Sequence, residues 1–348
     1  MPAIARSLAL LGALTLLAAC GGGADHPAAG GTDPSSASAA ASTSTSTGAD
    51  GGGRAAPPAI VAVSAGGAVV TLNPVTGAVT RTLVGSGAVG DQIAVARGRV
   101  YFTSRHGCTE RIEAVPAGGG KVTTITNGSL AAISPDGSKI AFARQPLISG
   151  HCVPAARNLV PLYSLVVRTF GTGRQKVYPM EPAGPNADSL PAPISHLSWA
   201  ADGRHLAVSI AAVQDNEGWN LALVDTARAR YYLSGAGISY VPATGAPDRP
   251  RSYLREGVYL PDGNLFVSRA CCGGFPVHNT SRLMWEVNPS GGLVRQVAIG
   301  YANLEHTSLD ASPDGRWLLY LAGRDLYVSP GTARPHLVAR GLAAAAWE

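Results

Sequence analysis

One turn sequence recurs along this chain at wide intervals: Ser134-Pro135-Asp136-Gly137, Ala201-Asp202-Gly203, Leu260-Pro261-Asp262-Gly263 and Ser312-Pro313-Asp314-Gly315. Proline presets φ at the first turn position, aspartate bonds the backbone ahead of it, and glycine takes the positive φ that closes a hairpin. A second turn class recurs six times, at Asn73 to Gly77, Ala117 to Gly120, Gly171 to Gly173, Asp225 to Ala227, Asn288 to Gly291 and Ser329 to Thr332. Its spacing, roughly 40 to just over 60 residues, is the length of a supersecondary repeat.

From Ala59 onward the segments between turns are short runs rich in Val, Ile, Leu, Tyr and Ala, and none sustains a helical period. The domain is therefore all-β. A repeat of this length with four short strands, each sheet burying its faces only on its neighbours, is a propeller blade. Counting turns predicts a six-bladed β-propeller of four-stranded antiparallel blades over residues 58–348. In blade four the strands are read as His196 to Ala200, His205 to Ile210, Asn220 to Val224 and Arg230 to Leu233. Blade three is read as Ala131 to Ser134, Lys139 to Arg144, Tyr163 to Arg168 and Gln175 to Tyr178, and blade six as Leu309 to Ser312, Trp317 to Leu321, Asp325 to Ser329 and Pro335 to Ala339. Blade two departs from the pattern, with Ala96-Arg97-Gly98-Arg99 where a Pro-Asp-Gly turn should stand. The first repeat begins at its second strand, Ala59 to Ser64, and Leu342 to Glu348 reads as a lone first strand. The C-terminal strand is thus expected to sit innermost in blade one and close the ring.

The Ser-Pro-Asp-Gly turn after the first strand, with a third strand such as Leu221-Ala222-Leu223-Val224-Asp225, resembles the TolB-like family of WD-repeat-like propellers. The resemblance covers about Ala59 to Glu348 and implies the fold. It leaves function open, because such propellers serve as binding scaffolds, peptidase gates and enzymes alike.

The N-terminus adds a location. Residues 1–19 carry Arg6, an apolar run from Leu8 to Leu17 and small residues before Cys20, the pattern of a secretory signal whose apolar stretch is short for a bilayer span. Leu17-Ala18-Ala19-Cys20 resembles a bacterial lipobox, which implies acylation of Cys20 and anchoring on the extracytoplasmic face of the cell membrane. Residues 20–57 are almost entirely Gly, Ala, Ser, Thr, Asp and Pro, too polar to offset the entropy of ordering, and read as a disordered tether. The net charge of +5 is small and dispersed, which argues against a nucleic-acid partner.

In an up-and-down blade, connections from the second strand to the third, and from each blade to the next, emerge on one face. The long segments Gln145 to Leu162, Ala211 to Gly218, Ala270 to Arg282, Met180 to Ser195 and Gly235 to Glu256 all belong to that face, and the opposite face has tight turns. Long loops on a rigid scaffold are where binding usually resides. Cys108, Cys152, Cys271 and Cys272 fall on the same face. In an oxidising compartment they allow three pairings. Adjacency of blades favours Cys108 with Cys152, worth about 4 kcal/mol in the chain-entropy account, and leaves Cys271 with Cys272. Free thiols or a metal site compete with that reading, and no Cys-x-x-Cys spacing supports zinc.

His106, His151, Trp219, His278, Glu305 and His306 are the candidate ligand-binding residues of the loop face. No catalytic residue, metal ligand or cofactor is assigned, since no nucleophile elbow, metalloprotease helix, phosphate loop or dinucleotide fingerprint is found. The expected function is a monomeric, membrane-anchored binding propeller that captures a protein, peptide or envelope ligand. The alternative is a propeller hydrolase or lyase with acids such as Asp215, Glu217, Glu256, Glu305 and Asp310 at the channel mouth, and a third is a structural subunit of an envelope complex.

Overall fold

The recurrent turns close hairpins through their own side chains. The Ser134 hydroxyl accepts from Lys139 N at 2.9 Å and donates to Asp136 Oδ1 at 2.6 Å, while Gly137 takes a φ of 63°. Ser312 repeats this, accepting from Trp317 N at 2.9 Å and donating to Asp314 Oδ1 at 2.6 Å, with Gly315 at φ 68°. In blade two Arg97 and Gly98 both have positive φ, 51° and 66°, so a two-residue hairpin replaces the Pro-Asp-Gly turn.

The structure is a computed structural model that describes residues 56–144, 164–179, 194–210, 220–229, 238–241, 252–271, 283–299, 306–330 and 334–348. Its strands form six four-stranded antiparallel sheets. The first joins β1 (Ile60–Ser64), β2 (Val69–Leu72) and β3 (Val79–Val84) to the last strand of the chain, β24 (Leu342–Trp347). The second is β4 (Ala88–Ala96), β5 (Arg99–His106), β6 (Thr109–Pro116) and β7 (Thr123–Asn127), and the third is β8 (Ser129–Ile133), β9 (Lys139–Arg144), β10 (Ser164–Thr169) and β11 (Gln175–Pro179). The fourth holds β12 (Ile194–Trp199), β13 (His205–Ile210), β14 (Asn220–Asp225) and β15 (Ile238–Tyr240). The fifth holds β16 (Ser252–Tyr259), β17 (Leu265–Cys271), β18 (Leu283–Val287) and β19 (Leu293–Ile299), and the sixth β20 (His306–Ala311), β21 (Leu318–Ala322), β22 (Asp325–Ser329) and β23 (His336–Arg340).

The outer strand of blade four, expected at Arg230 to Leu233, is described at Ile238–Tyr240, where Tyr240 pairs with Ala222 and Ile238 with Val224. Arg230 to Leu233 lie outside the described residues. Short apolar runs on either side of Gly235-Ala236-Gly237 are equivalent by pattern, and only the ladder distinguishes them.

Each blade meets the next across its own hydrophobic cluster. Blades one and two share Val61, Val63, Val100 and Phe102, and blades two and three share Tyr101, Ile112, Ile140 and Phe142. Further round, Tyr178 and Leu165 pack against Trp199 and Leu206, Leu221 and Leu223 against Leu265 and Trp285, and Phe266 and Met284 against Leu318 and Tyr320. The last interface, between blades six and one, contains Leu319, Leu326, Ile60, Leu72 and Trp347.

The closing strand serves both interfaces of blade one. Leu342, Ala345 and Trp347 join the cluster shared with blade six, while Ala344 and Ala346 join the cluster shared with blade two. A two-residue period delivers alternate side chains to opposite faces of the sheet. β24 pairs antiparallel with β1, from Ile60 opposite Trp347 to Ser64 opposite Leu342. The innermost strands then contact one another in sequence from β4 through β8, β12, β16 and β20 to β24 and back to β4.

Deleting residues 342–348 removes the inner strand of blade one and parts of two clusters, and leaves β1 with an exposed edge. The truncated chain is expected to lose its single cooperative thermal transition in calorimetry. Trp347→Ala in the intact chain should cost about 3–5 kcal/mol in denaturant unfolding, and a truncated chain that melts with the intact one would contradict ring closure by β24.

Candidate functional site

An innermost strand of a propeller has one edge with no strand to pair, and its backbone groups need other partners. Here polar side chains of the preceding blade supply several of them. Leu130 N donates to Thr103 Oγ1 at 3.3 Å, Gly257 N to Ser209 Oγ at 3.3 Å and Tyr259 N to Ser198 Oγ at 3.0 Å. Leu309 N donates to Glu256 Oε2 at 3.4 Å, and Trp347 N to Asp310 Oδ2 at 2.9 Å. Gln92 reaches past blade three altogether. Its amide donates to Leu197 O at 2.8 Å and accepts from Leu197 N at 3.0 Å, imitating a strand across the channel.

The inner strands are also bulged, each at one point. Register with the neighbouring strand shifts between Val89 and Ile93 in β4, Ser129 and Ala132 in β8, Ile194 and His196 in β12, Leu254 and Glu256 in β16, and Thr307 and Asp310 in β20. In blade one it shifts where Val63 and Ser64 face Ala344 and Leu342. Bulges bend a strand and re-aim its side chains. Leu130 and Ser308 sit within them at φ 59° and 52°, a region that non-glycine residues seldom occupy. Gly90 lies in the bulge of β4 directly against Ala343, where any side chain would collide with the closing strand.

Together these strands line a cavity of about 440 Å³ along the channel axis. It runs from Gln92, His196 and Ser308 at mid-channel to the turn residues Arg97, Pro135, Pro261 and Pro313. The described cavity therefore opens toward the tight turns. The long connections belong to the opposite face.

Three ionisable groups give the channel its electrostatic character. Burial pushes the Asp91 carboxyl up to about 7, against the bond from Gln92 N and another with Thr103, and nearby Glu110 pushes it the same way. Burial likewise raises Asp310 to about 6, against the bonds from Trp347 N and Ala311 N. Both carboxyls are half-buried, and Asp310 lines the cavity. His196 is driven down to about 4 by burial and is neutral at pH 7.

The residues singled out in the sequence are dispersed. His106 ends β5, half-exposed, with Nε2 3.5 Å from Glu113 Oε1. Cys108 occupies the two-residue turn between β5 and β6, and Cys271 ends β17. His306, read as a loop residue, instead heads β20 opposite Ala322, 2 % exposed, its ring edge-on to Tyr320 at 5.6 Å. The ladder with β21 begins earlier than the apolar run because pairing accepts a histidine that the hydrophobic pattern excluded. Cys20, Cys152, Cys272, His151, Trp219, His278 and Glu305 lie outside the described residues, as do Asp215 and Glu217. Glu256 and Asp310 do come to the channel, on the inner strands of blades five and six. Asp91, Gln92, His196 and Ser198 were missed. Their one sequence signal is a polar residue interrupting an otherwise apolar inner strand, as in His196-Leu197-Ser198-Trp199. Among the described residues, no three His, Cys, Asp or Glu side chains converge as metal ligands.

The raised Asp91 carboxyl makes stability depend on pH. Its folded pKa lies above the unfolded value, so its contribution is fully present below about pH 4 and is lost as pH rises through about 7. Asp310 acts in the same sense up to about 6, whereas His196, with a lowered pKa, loses stability as pH falls from about 6.5 to about 4. Comparison with Asp91→Asn isolates the first effect. The melting temperature of the variant should rise relative to wild type between about pH 5 and pH 8, and a difference independent of pH would show that Asp91 is not held protonated.

No protein-family model matches the chain, and no curated protein does. Among solved structures, it is similar to a chain of a nidogen/laminin complex at 11% identity and a TM-score of 0.51, over 83% of this chain and 97% of that one. It is also similar to a gluconolactonase from Xanthomonas campestris, at 14% identity and a TM-score of 0.48 over 77% and 79% of the two chains. A third similarity is to the β-propeller domain of the Trilobed protease from Pyrococcus furiosus, at 16% identity and a TM-score of 0.42 over 70% and 69%. At these identities the similarity shows a β-propeller fold alone; the six blades and the closure by the C-terminal strand are read from the sheets of this chain.

Proposed function

We propose that this chain is a binding propeller, tethered to the extracytoplasmic face of a membrane by acylated Cys20, that captures a protein, peptide or envelope ligand on the face of its long connections. The observation that carries the reading is the asymmetry of the connections. On one face β8 and β9 are separated by residues 134–138, β12 and β13 by 200–204, and β16 and β17 by 260–264. On the other, residues 145–163 separate β9 from β10, and 272–282 separate β17 from β18. Apart from residues 226–237 between β14 and β15, the first face keeps its connections short, and a scaffold that spends chain length on the opposite face concentrates its contact surface there. The lipobox pattern supports the anchor, and the Ser-Pro-Asp-Gly turns with Leu221 to Asp225 support kinship with TolB-like propellers.

A photo-crosslinking amino acid placed at His151 or His278 should yield covalent adducts in intact cells, and one placed at Asp202 or Asp314 should not. Equal yields from the tight-turn positions would overturn the assignment of the face. For the anchor, Cys20→Ser should abolish incorporation of a fatty-acid label and release the protein from the membrane fraction, whereas undiminished labelling would refute it. Non-reducing peptide mapping should recover Cys108 joined to Cys152. Recovery of Cys108 joined to Cys271 or Cys272 would break the blade-adjacency argument.

A further inference from the structure

We propose that the channel cavity behind the tight turns is a binding site for a small organic cation, a primary amine or guanidinium, with Asp310 as its counter-ion and Trp347 as part of its wall. This site is separate from the long-loop face. Asp310 lines the cavity, and its two oxygens each accept one backbone hydrogen bond, from Ala311 N at 2.9 Å and Trp347 N at 2.9 Å. Among the described residues no lysine or arginine pairs with it. A carboxylate surrounded by protein with no counter-ion is costly, and a cationic ligand would remove that cost.

The neighbouring groups do not supply the missing charge. The described acidic, basic and histidine side chains on the inner strands around Asp310 are Asp91 on β4, His196 on β12, Glu256 on β16 and His306 on β20; the side chain of Arg255, also on β16, lies outside the described residues. Two cations near the tight-turn mouth are engaged elsewhere. The Arg97 guanidinium donates to Asp136 O, and the Lys139 ammonium to Gly203 O at 2.9 Å.

The second observation is unsatisfied polarity in the same cavity wall. His196, 6 % exposed, leaves Nδ1 without a hydrogen-bond partner, and Trp347, 4 % exposed, leaves Nε1 without one. Buried polar atoms are almost always paired, and the neutral His196 Nδ1 is an acceptor for the N–H of a cation, whereas the Trp347 indole N–H is itself a donor that a cation leaves as it is. Trp347 lines the cavity beside Asp310, and its backbone amide fixes the carboxylate there as the negative charge that an ammonium or guanidinium group would meet.

Calorimetric titration of the full chain with benzylamine, and with benzyl alcohol as its uncharged counterpart, tests the site. Benzylamine should bind at about pH 8 at least about tenfold more tightly than benzyl alcohol, and Asp310→Asn should remove that preference. Because Asp310 also holds the closing strand, the wild-type protein provides an independent measurement. Its affinity for benzylamine should fall about tenfold between about pH 8 and pH 5, where the amine stays charged and the Asp310 carboxyl takes up a proton, while benzyl alcohol binding stays constant. Equal affinity for amine and alcohol, benzylamine binding insensitive to pH, or no benzylamine binding at all, meaning a cavity that holds only water, would each overturn the proposal.

Discussion

The pairing of β24 with β1 is the interaction on which the remaining structure depends. Six blades joined in sequence have two free ends, and each blade hides its faces only against neighbours. Without the ladder from Ile60–Trp347 to Ser64–Leu342, blade one lacks its inner strand and the clusters on both sides lose members. Hydrophobic contact alone would leave the register of that strand free. The ladder fixes it, because a one-residue slip would exchange Trp347 and Ala346 between opposite faces.

Closure creates a second constraint at the axis. Six inner strands crowd together there, which explains the alanine-rich sequence of β24 and the bare backbone of Gly90 against Ala343. Their inner edges have no further strand to pair. The chain resolves this with side chains handed from blade to blade: Thr103 to Leu130, Ser198 and Ser209 to blade five, Glu256 to Leu309 and Asp310 to Trp347. The ring is thus joined twice, by apolar contacts between blade faces and by polar contacts around the channel. Serine, threonine and carboxylates stand around the channel because backbone N–H groups demand acceptors.

The same device gives the channel its chemistry. Asp310 is needed to satisfy Trp347 N, yet it leaves a carboxylate in a cavity of about 440 Å³ with no cation beside it among the described residues. Gln92 satisfies Leu197 without introducing a charge, so the two solutions to one structural problem differ in what they offer a ligand. The two faces of the propeller consequently carry different kinds of surface. One carries the long connections 145–163 and 272–282, the other chiefly short turns around a charged, partly polar well.

The sequence by itself determined the fold class, the blade count and the closing strand, because each is written in local chemistry. Ser-Pro-Asp-Gly closes a hairpin by bonds among residues a few positions apart, and a repeat of such hairpins has few ways to bury its faces. Strand limits such as Lys139–Arg144 and Asp325–Ser329 follow directly from those turns. The outer strand of blade four was misplaced because its identity rests on pairing with Ala222 to Val224 across an ambiguous run. His306 was read as loop for a similar reason, since its place in β20 is set by Ala322 on the partner strand. The bulges, the reach of Gln92 to Leu197 and the isolation of Asp310 from any described cation were decided by the tertiary structure alone. Each joins residues from different blades, where sequence separation carries no signal and only the closed ring brings the partners within hydrogen-bond distance.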